Sequence, residues 1–187
     1  MKIIAILTFI ILLSGCSSKD PINTNLTLQL DSQPTGMYSN ESSAALRGHD
    51  ARQDFSVIVY QLEGKPDIRL PNQTAPHILV TEQLANGLRE QGLIFKNNSP
   101  VRIQLDLNEL LVSVTHPKLL YNAKAKSHLT LTIKNGEVTL TKTYDREANK
   151  DSVTRPSVHD LEEMLNSQLT DIVNHILQDK EVQSTIR

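Results

Sequence analysis

Apolar and polar residues alternate along much of this chain with the two-residue period of half-buried strands, and two stretches switch to helical spacing. Leu26, Leu28 and Leu30 alternate with Thr27 and Gln29, which predicts a first strand. Ser32 to Asn40, with Gln, Pro, Gly and Ser, breaks the pattern and reads as a loop. A short strand is expected at Ala44 to Arg47, and a better one at Phe55 to Leu62, where β-branched and aromatic residues concentrate. Glu63-Gly64-Lys65-Pro66 turns the chain so that Ile68 to Leu70 can pair back. The first helix has Thr74 as its N-cap and Pro76 in its first turn, with Ile78, Val80, Leu84, Ala85 and Leu88 on its apolar side. Gly92 ends it as the C′ residue, and Leu93 is placed for the hydrophobic contact beyond the cap.

Three long strands follow. Val101, Ile103, Leu105 and Leu107 share one face, but after Glu109 the apolar positions shift parity to Leu110, Val112 and Val114. A one-residue shift reverses the faces of a strand, so a β-bulge is predicted near Asn108 to Leu110. His116-Pro117 turns into a strand from Tyr121 to Ile133 with a core face at odd positions and a wet face at even ones. Asn135-Gly136 is a strong hairpin signal, since a type I′ turn needs positive φ at both central residues. With those two residues as the loop, Ile133 meets Val138, Leu131 meets Leu140, and Ser127 meets Tyr144. On the wet face Thr132 meets Thr139, Lys126 meets Asp145, and Lys124 meets Glu147, two charge pairs of opposite sign. Lys142 falls on the core side opposite Leu129, where it must snorkel or mark an edge. The last helix starts at the N-cap Ser157, with Asp160 completing an acidic capping box. Val158, Leu161, Leu165, Leu169, Ile172, Val173 and Ile176 form its apolar stripe, and it ends near Asp179. The expected fold class is α+β: an antiparallel sheet with two main helices packed on one face, a two-layer sandwich.

The N-terminus adds a different kind of signal. Lys2 precedes the apolar run Ile3 to Leu13, whose eleven residues as a helix would span only about 16 Å. A bilayer core is roughly 30 Å thick, so the run reads as a signal-peptide h-region rather than a membrane span. Leu13-Ser14-Gly15-Cys16 follows and looks like a lipobox, with small residues at the cleavage site and then the cysteine that becomes the new N-terminus. Residues 1–15 are therefore expected to be removed, residues 16–25 to form a lipidated N-terminus and tether, and residues 26–187 to form one domain. Cys16 is the only cysteine in the chain. Carrying diacylglyceryl and N-acyl (palmitate-type) lipid, it would be neither nucleophile, disulfide partner nor metal ligand. One acyl chain binds a membrane only marginally and two signals anchor stably, so three chains would be effectively permanent. Ser17 stands where an aspartate would favour inner-membrane retention, which points to the periplasmic face of an outer membrane.

Charge and composition remove several function classes. The formal net charge is −2, and loss of Lys2 with the signal peptide makes the mature chain more acidic still, so nucleic acid is not an expected partner. Tryptophan is absent and aromatics are few, which leaves little from which to build a sugar- or base-stacking platform. No G-x-S-x-G elbow, glycine-rich phosphate loop or H-x-x-x-H pair occurs. No catalytic residue, metal site or cofactor is therefore assigned, and no enzymatic activity is expected. His159 and Glu163 share a helix face, and Lys124, Lys126 and His128 form a small basic stripe; both read as solvated faces. Asp50-x-Arg52-x-Asp54 is the most interesting cluster. In an extended chain its three side chains point one way, so Arg52 could be clamped by two carboxylates or present its fork to a partner.

Several local patterns together resemble the YajG-like family of bacterial lipoproteins. They are the lipobox, Gly48-His49-Asp50-Ala51-Arg52-Gln53-Asp54, the helix end Arg89-Glu90-Gln91-Gly92, Pro100-Val101, Tyr121-Asn122 with Lys126, Leu169-Thr170-Asp171, and Gln178-Asp179. The resemblance covers most of Gly48 to Ile186 and is poor over Ser17 to Arg47. It implies an envelope lipoprotein fold and brings no catalytic residue with it. Two function classes follow from the residues. One is a membrane-anchored, non-catalytic scaffold or accessory subunit that binds another envelope protein. The alternative is a periplasmic binding or relay protein for lipid or a small amphiphile. An open cavity over Ala123, Ala125 and Ser127 would favour the second, and close helix packing there the first.

Overall fold

The computed structural model describes residues 22–187. The signal peptide, Cys16 and the tether as far as residue 21 lie outside the described residues. The order of elements is β1 (Ser43–Asp50), β2 (Ser56–Gln61), β3 (Ile68–Pro71), α1 (Pro76–Glu90), β4 (Ile94–Phe95), β5 (Val101–Thr115), β6 (Tyr121–Asn135), β7 (Val138–Ser152), α2 (Val158–Gln178) and α3 (Lys180–Ile186). The α+β class is as expected. The sheet, however, is mixed and curled rather than antiparallel, and among the described residues three helices rather than two accompany it.

β5 is the spine of the sheet. Its first half pairs in parallel with β1 (Ala44 opposite Val101, Asp50 opposite Leu107), and its second half pairs in parallel with β2 (Ile58 opposite Val112, Gln61 opposite Thr115). β1 and β2 thus lie end to end along one edge of the same strand. The other edge carries β6, antiparallel, and β6 carries β7. Parallel neighbours need long crossovers, and the connection from β2 back to β5 includes β3, α1 and β4. Alternation alone says which residues face the core and nothing about strand direction, so parallel pairing could not be read from it.

The predicted bulge is present. The β5–β6 register shifts between Leu107 and Glu109, and the extra residue, Asn108, donates from its amide to Thr130 Oγ1 at 2.8 Å. On either side of it Ile103, Leu105, Leu107, Leu110, Val112 and Val114 are all buried. The two-residue shift of the β6–β7 hairpin departs from expectation. Asn135 pairs with Val138, so the loop is Gly136-Glu137, and only Gly136 has positive φ (57°). A glycine at the first central position with an ordinary residue after it is the type II′ arrangement, not type I′. A shift of two preserves every face, so the core assignment survives while the partners change. Ile133 meets Leu140, Leu131 meets Lys142, and Lys126 meets Glu147.

Helix α1 starts one residue later than its sequence suggests. Ala75 is the N-cap, with φ −56° and ψ 119° and no side-chain cap bond. Pro76 excludes the helical region for the residue before it, which makes Ala75 the boundary and leaves Thr74 outside. The C-terminus follows the expected Schellman pattern: the Gly92 amide donates to Arg89 O, the Leu93 amide donates to Leu88 O, and Gly92 has φ 103°. Helix α2 has the complete capping box of Ser157 and Asp160, and its apolar stripe from Leu161 to Ile176 is buried.

The segment from Leu26 to Leu30 is extended with alternate burial, but it is not a strand. Thr24 forms a single parallel bridge to Asn72, and no ladder continues from it. Instead its amides are held by side chains. Asn25 N donates to Glu162 Oε1 (2.7 Å), Leu26 N to Asn72 Oδ1 (2.9 Å) and Thr27 N to Asn166 Oδ1 (2.9 Å), and Asp31 accepts from Asn174 (3.0 Å). Two extended residues advance about as far as four helical ones, so acceptors spaced by four on α2 match every second residue of the strap.

Helix α1 lies close on β1 because Gly48 has no side chain. A Cβ there would sit 2.0 Å from Thr81 Oγ1 and 3.1 Å from His77 O. Gly48→Ala is expected to destabilise the domain by about 1–3 kcal/mol, as overpacked sites do, with partial recovery in the Gly48→Ala/Thr81→Ala pair. Urea denaturation followed by circular dichroism checks both values.

Candidate functional site

The residues of Asp50-x-Arg52-x-Asp54 sit where β1 hands over to β2, directly across from the bulge of β5. Ala51 N donates to Leu107 O at 2.9 Å, after which the chain leaves the extended conformation until Ser56. Arg52 folds back on Asp50, with Nε to Oδ1 and Nη2 to Oδ2 both at 2.8 Å. The Arg52 side chain is only 3% exposed. Its Nη1 is buried without a hydrogen-bond partner, and its guanidinium lies 6.0 Å from the centroid of the Phe55 ring. His77, in the first turn of α1, brings Nδ1 to 3.5 Å from Asp50 Oδ2.

Asp54 does not join this clamp. It accepts from the Ser56 amide at 2.9 Å and pairs with Arg69 on β3. The expectation that two carboxylates converge on Arg52 is corrected: the chain bends after Asp50, so Asp54 points to the neighbouring hairpin. Burial alone would raise the Asp50 carboxyl, but the hydrogen bonds and charge of Arg52, aided by His77, outweigh it and hold the group below its usual value. The arrangement is a buried, bidentate lock on the β1–β2 junction.

A second ionic centre lies under the junction of α2 and α3. Lys142, on the core side of β7, reaches Asp179 (2.7 and 2.9 Å) and Glu181 (2.7 Å). Asp179 sits between α2 and α3, and its side chain accepts from the amides of Glu181 and Val182 at the start of α3. Burial opposes its ionisation, but Lys142 and those two amides hold its carboxyl low. The hydrogen bonds of Asp179 and Glu181 in turn raise the Lys142 ammonium above its ordinary value. The sequence marked Lys142 as a misfit, yet its partner was hidden, because nothing local to β7 indicates that a helix junction lies above it.

The wet face of the sheet divides into paired and unpaired cations. Lys124 and Lys126 both pair with Glu147 (3.5 and 3.4 Å), and His128 meets Asp145 at 2.6 Å. The expected Lys124–Glu147 contact exists as a diagonal, and Lys126–Asp145 is replaced by Lys126–Glu147. Near the start of β5, Arg47, Arg102 and Lys134 from three adjacent strands surround a cavity of about 320 Å³, with Gln104 and Asn97 beside them. Among the described residues none of these three cations is within ion-pair distance of a carboxylate, so the cleft has the charge to receive an anionic group. The sequence reading missed this cluster, because Arg47, Arg102 and Lys134 are far apart in the chain and are brought together by parallel β1–β5 and antiparallel β5–β6 pairing. Among the described residues, no group of three or more His, Cys, Asp or Glu side chains could hold a metal ion.

The family model described as "Uncharacterized lipoprotein" matches residues 21–187. The chain belongs to this lipoprotein family. It is 24% identical over 190 residues to the uncharacterized lipoprotein YajG of Escherichia coli K12, covering 100% of this chain and 96% of that one, and the same holds for YajG of strain O6:H1. The YajG-like resemblance is therefore sound over the whole chain. The crystal structure of protein XCC0632 from Xanthomonas campestris shares the fold, with a TM-score of 0.58 at 10% identity over 86% of this chain and 96% of that one. In a YajG-like lipoprotein the Gly48-to-Asp54 stretch has a structural logic: a glycine that admits α1, an aspartate that locks an arginine, and a second aspartate that ties the next hairpin.

A carboxyl held below its unfolded value adds stability that is complete above the unfolded pKa, about 4, and is lost as pH falls through the lower folded value. Asp50→Asn is expected to destabilise the domain by about 3 kcal/mol at pH 7, since it strips the buried Arg52 of its counter-charge. The variant should also lose less stability than the parent between pH 4 and lower pH, with a shallower slope. Urea midpoints measured across that range test both.

Proposed function

We propose that this YajG-like lipoprotein is a non-catalytic accessory of the bacterial envelope, fixed to a membrane by lipid on Cys16 and binding another envelope protein along the free edge of β7. The open edge carries this reading. β7 runs fifteen residues and, among the described residues, pairs on one side only. Unpaired backbone groups over such a length are a template for strand addition. Lys142, Asp145, Arg146, Glu147 and Lys150 along it are the kind of charges that keep an edge from pairing indiscriminately. The basic cleft of Arg47, Arg102 and Lys134 offers a second, electrostatic contact for an acidic group on the partner.

The interior weighs against a lipid or amphiphile carrier. Ala123, Ala125 and Ser127 are fully covered, and α2 packs directly on them. Ser127 Oγ donates to Gln168 Oε1 at 2.7 Å, and Gln168 Nε2 reaches Ala125 O at 3.4 Å. Small residues here bring the helix close to the sheet instead of leaving room for a ligand. The outer membrane and its periplasmic face are the location we assign, on the strength of Ser17 after the lipidated cysteine.

Photo-crosslinking residues at Thr143 and Glu147, both exposed on β7, test the reading in cells. A discrete envelope-protein adduct is expected from these sites, and it should disappear with Cys16→Ala. If no protein adduct forms and the purified chain instead carries co-extracted lipid, the accessory reading gives way to the carrier.

A further inference from the structure

The exposed apolar residues of this protein are not scattered evenly. Leu119 (85% exposed) and Leu120 lie in the β5–β6 turn, and Val153 (79%) follows the end of β7. Tyr121 pairs with Ser152, which puts Leu120 and Val153 side by side. Ile68 opens β3 opposite Tyr60, which pairs with Val114 near the end of β5. Four exposed apolar side chains thus share one end of the sheet, with Lys118 beside them on the turn.

The chain enters the domain from that same end. Thr24 pairs in parallel with Asn72, so Asn23 and Ile22, the first described residues, lie on the Ile68 side of that bridge, and Ile22 is 81% exposed. Asn25 is tied to Glu162, in the second turn of α2, and the following residues run along α2 away from this end. Six peptide links join Cys16 to Ile22, a reach of at most about 22 Å. By the Thr24–Asn72 bridge Ile22 stands near the level of Leu70 and so of Val112, and the opposite end of β5 at Val101, eleven residues away, is about 36 Å off along the strand and beyond that reach.

We infer that this end of the domain is a membrane-contacting surface, in which Leu119, Leu120 and Val153 enter the lipid interface beside the anchor. The inference rests on lipidation of Cys16. The occupant is the lipid surface itself, since the anchor length and the direction of entry hold these residues against it. Lys118 then sits at headgroup level, and the strands stand along the membrane normal with the hairpin at Gly136 farthest out.

Tryptophan is absent from the chain, so Leu119→Trp installs a single reporter at the tip of an exposed turn. The full-length lipoprotein carrying it would be reconstituted into phosphatidylethanolamine–phosphatidylglycerol vesicles, with and without brominated acyl chains. Val138→Trp, on the far hairpin, serves as the comparison. We expect blue-shifted emission and at least a twofold loss of intensity with brominated lipid for Leu119→Trp, and neither for Val138→Trp. Equal, water-like emission from both sites in chains that float with vesicles would overturn the inference and leave the anchor intact. A blue shift without bromine quenching would mean that a second copy or another protein covers the tip, and would overturn it as well. An intact mass showing unmodified Cys16 would remove the anchor reading and this inference together.

Discussion

Everything in this fold depends on one extra residue in β5. A fifteen-residue strand with unbroken alternation would keep a single face toward the core, yet the apolar residues of β5 change parity halfway. The bulge at Asn108 absorbs the change, so that both halves bury their apolar side chains under the helices. It also bends the strand, and the bend explains why two short strands, not one long one, occupy its other edge. β1 follows β5 up to Leu107, the chain steps across the kink through residues 51–55, and β2 resumes at the level of Val112. The step is where Arg52 is buried against Asp50, and where α1 approaches over Gly48. The lock is a consequence of the bulge, because a gap in pairing leaves backbone and side chains that something else must tie down.

Helix α2 is the other organising element, and it works through polar as well as apolar residues. Its buried stripe makes the core, while Glu162, Asn166 and Asn174 serve the extended segment from Asn25 to Asp31. Gln168, on the buried side, satisfies Ser127 and the backbone of Ala125. At its end, Asp179 draws Lys142 across from β7 and caps α3. Buried polar groups cost free energy unless they are partnered, and here the partners tie the helix to the strap, the sheet and its own continuation.

Much of this was legible in the residues. The bulge, the Schellman end at Gly92, the capping box at Ser157 and the core parity of β5 and β6 all depend on local chemistry, which sequence carries directly. What failed depended on distance or direction. Leu26 to Leu30 has the alternation of a strand because it does bury every second side chain, but a helix's side chains can satisfy its amides as well as a neighbouring strand can. The mark was Glu162, Asn166 and Asn174 on a single helix face, visible only once α2 is known to lie beside the strap. The β6–β7 register moved by two because both loops keep the same faces, so burial could not choose between them. Asp54 went to Arg69 because the chain bends after Asp50, a bend imposed by a bulge more than fifty residues away in sequence.

The strap also bears on how an anchored domain carries load. With lipid on Cys16, any pull between the domain and the membrane acts on the chain just before Thr24. With the membrane at the Leu119 end of the sheet, as we infer, the strap runs away from it along α2 and the pull is parallel to the strap. Its hydrogen bonds to Asn72, Glu162 and Asn166, and the burial of Leu26 and Leu28, are then loaded together in shear. A ladder strand pulled at a right angle to its neighbours would instead give way one bond at a time. A lone parallel bridge followed by side-chain ties to a helix is therefore a suitable end for a tethered chain.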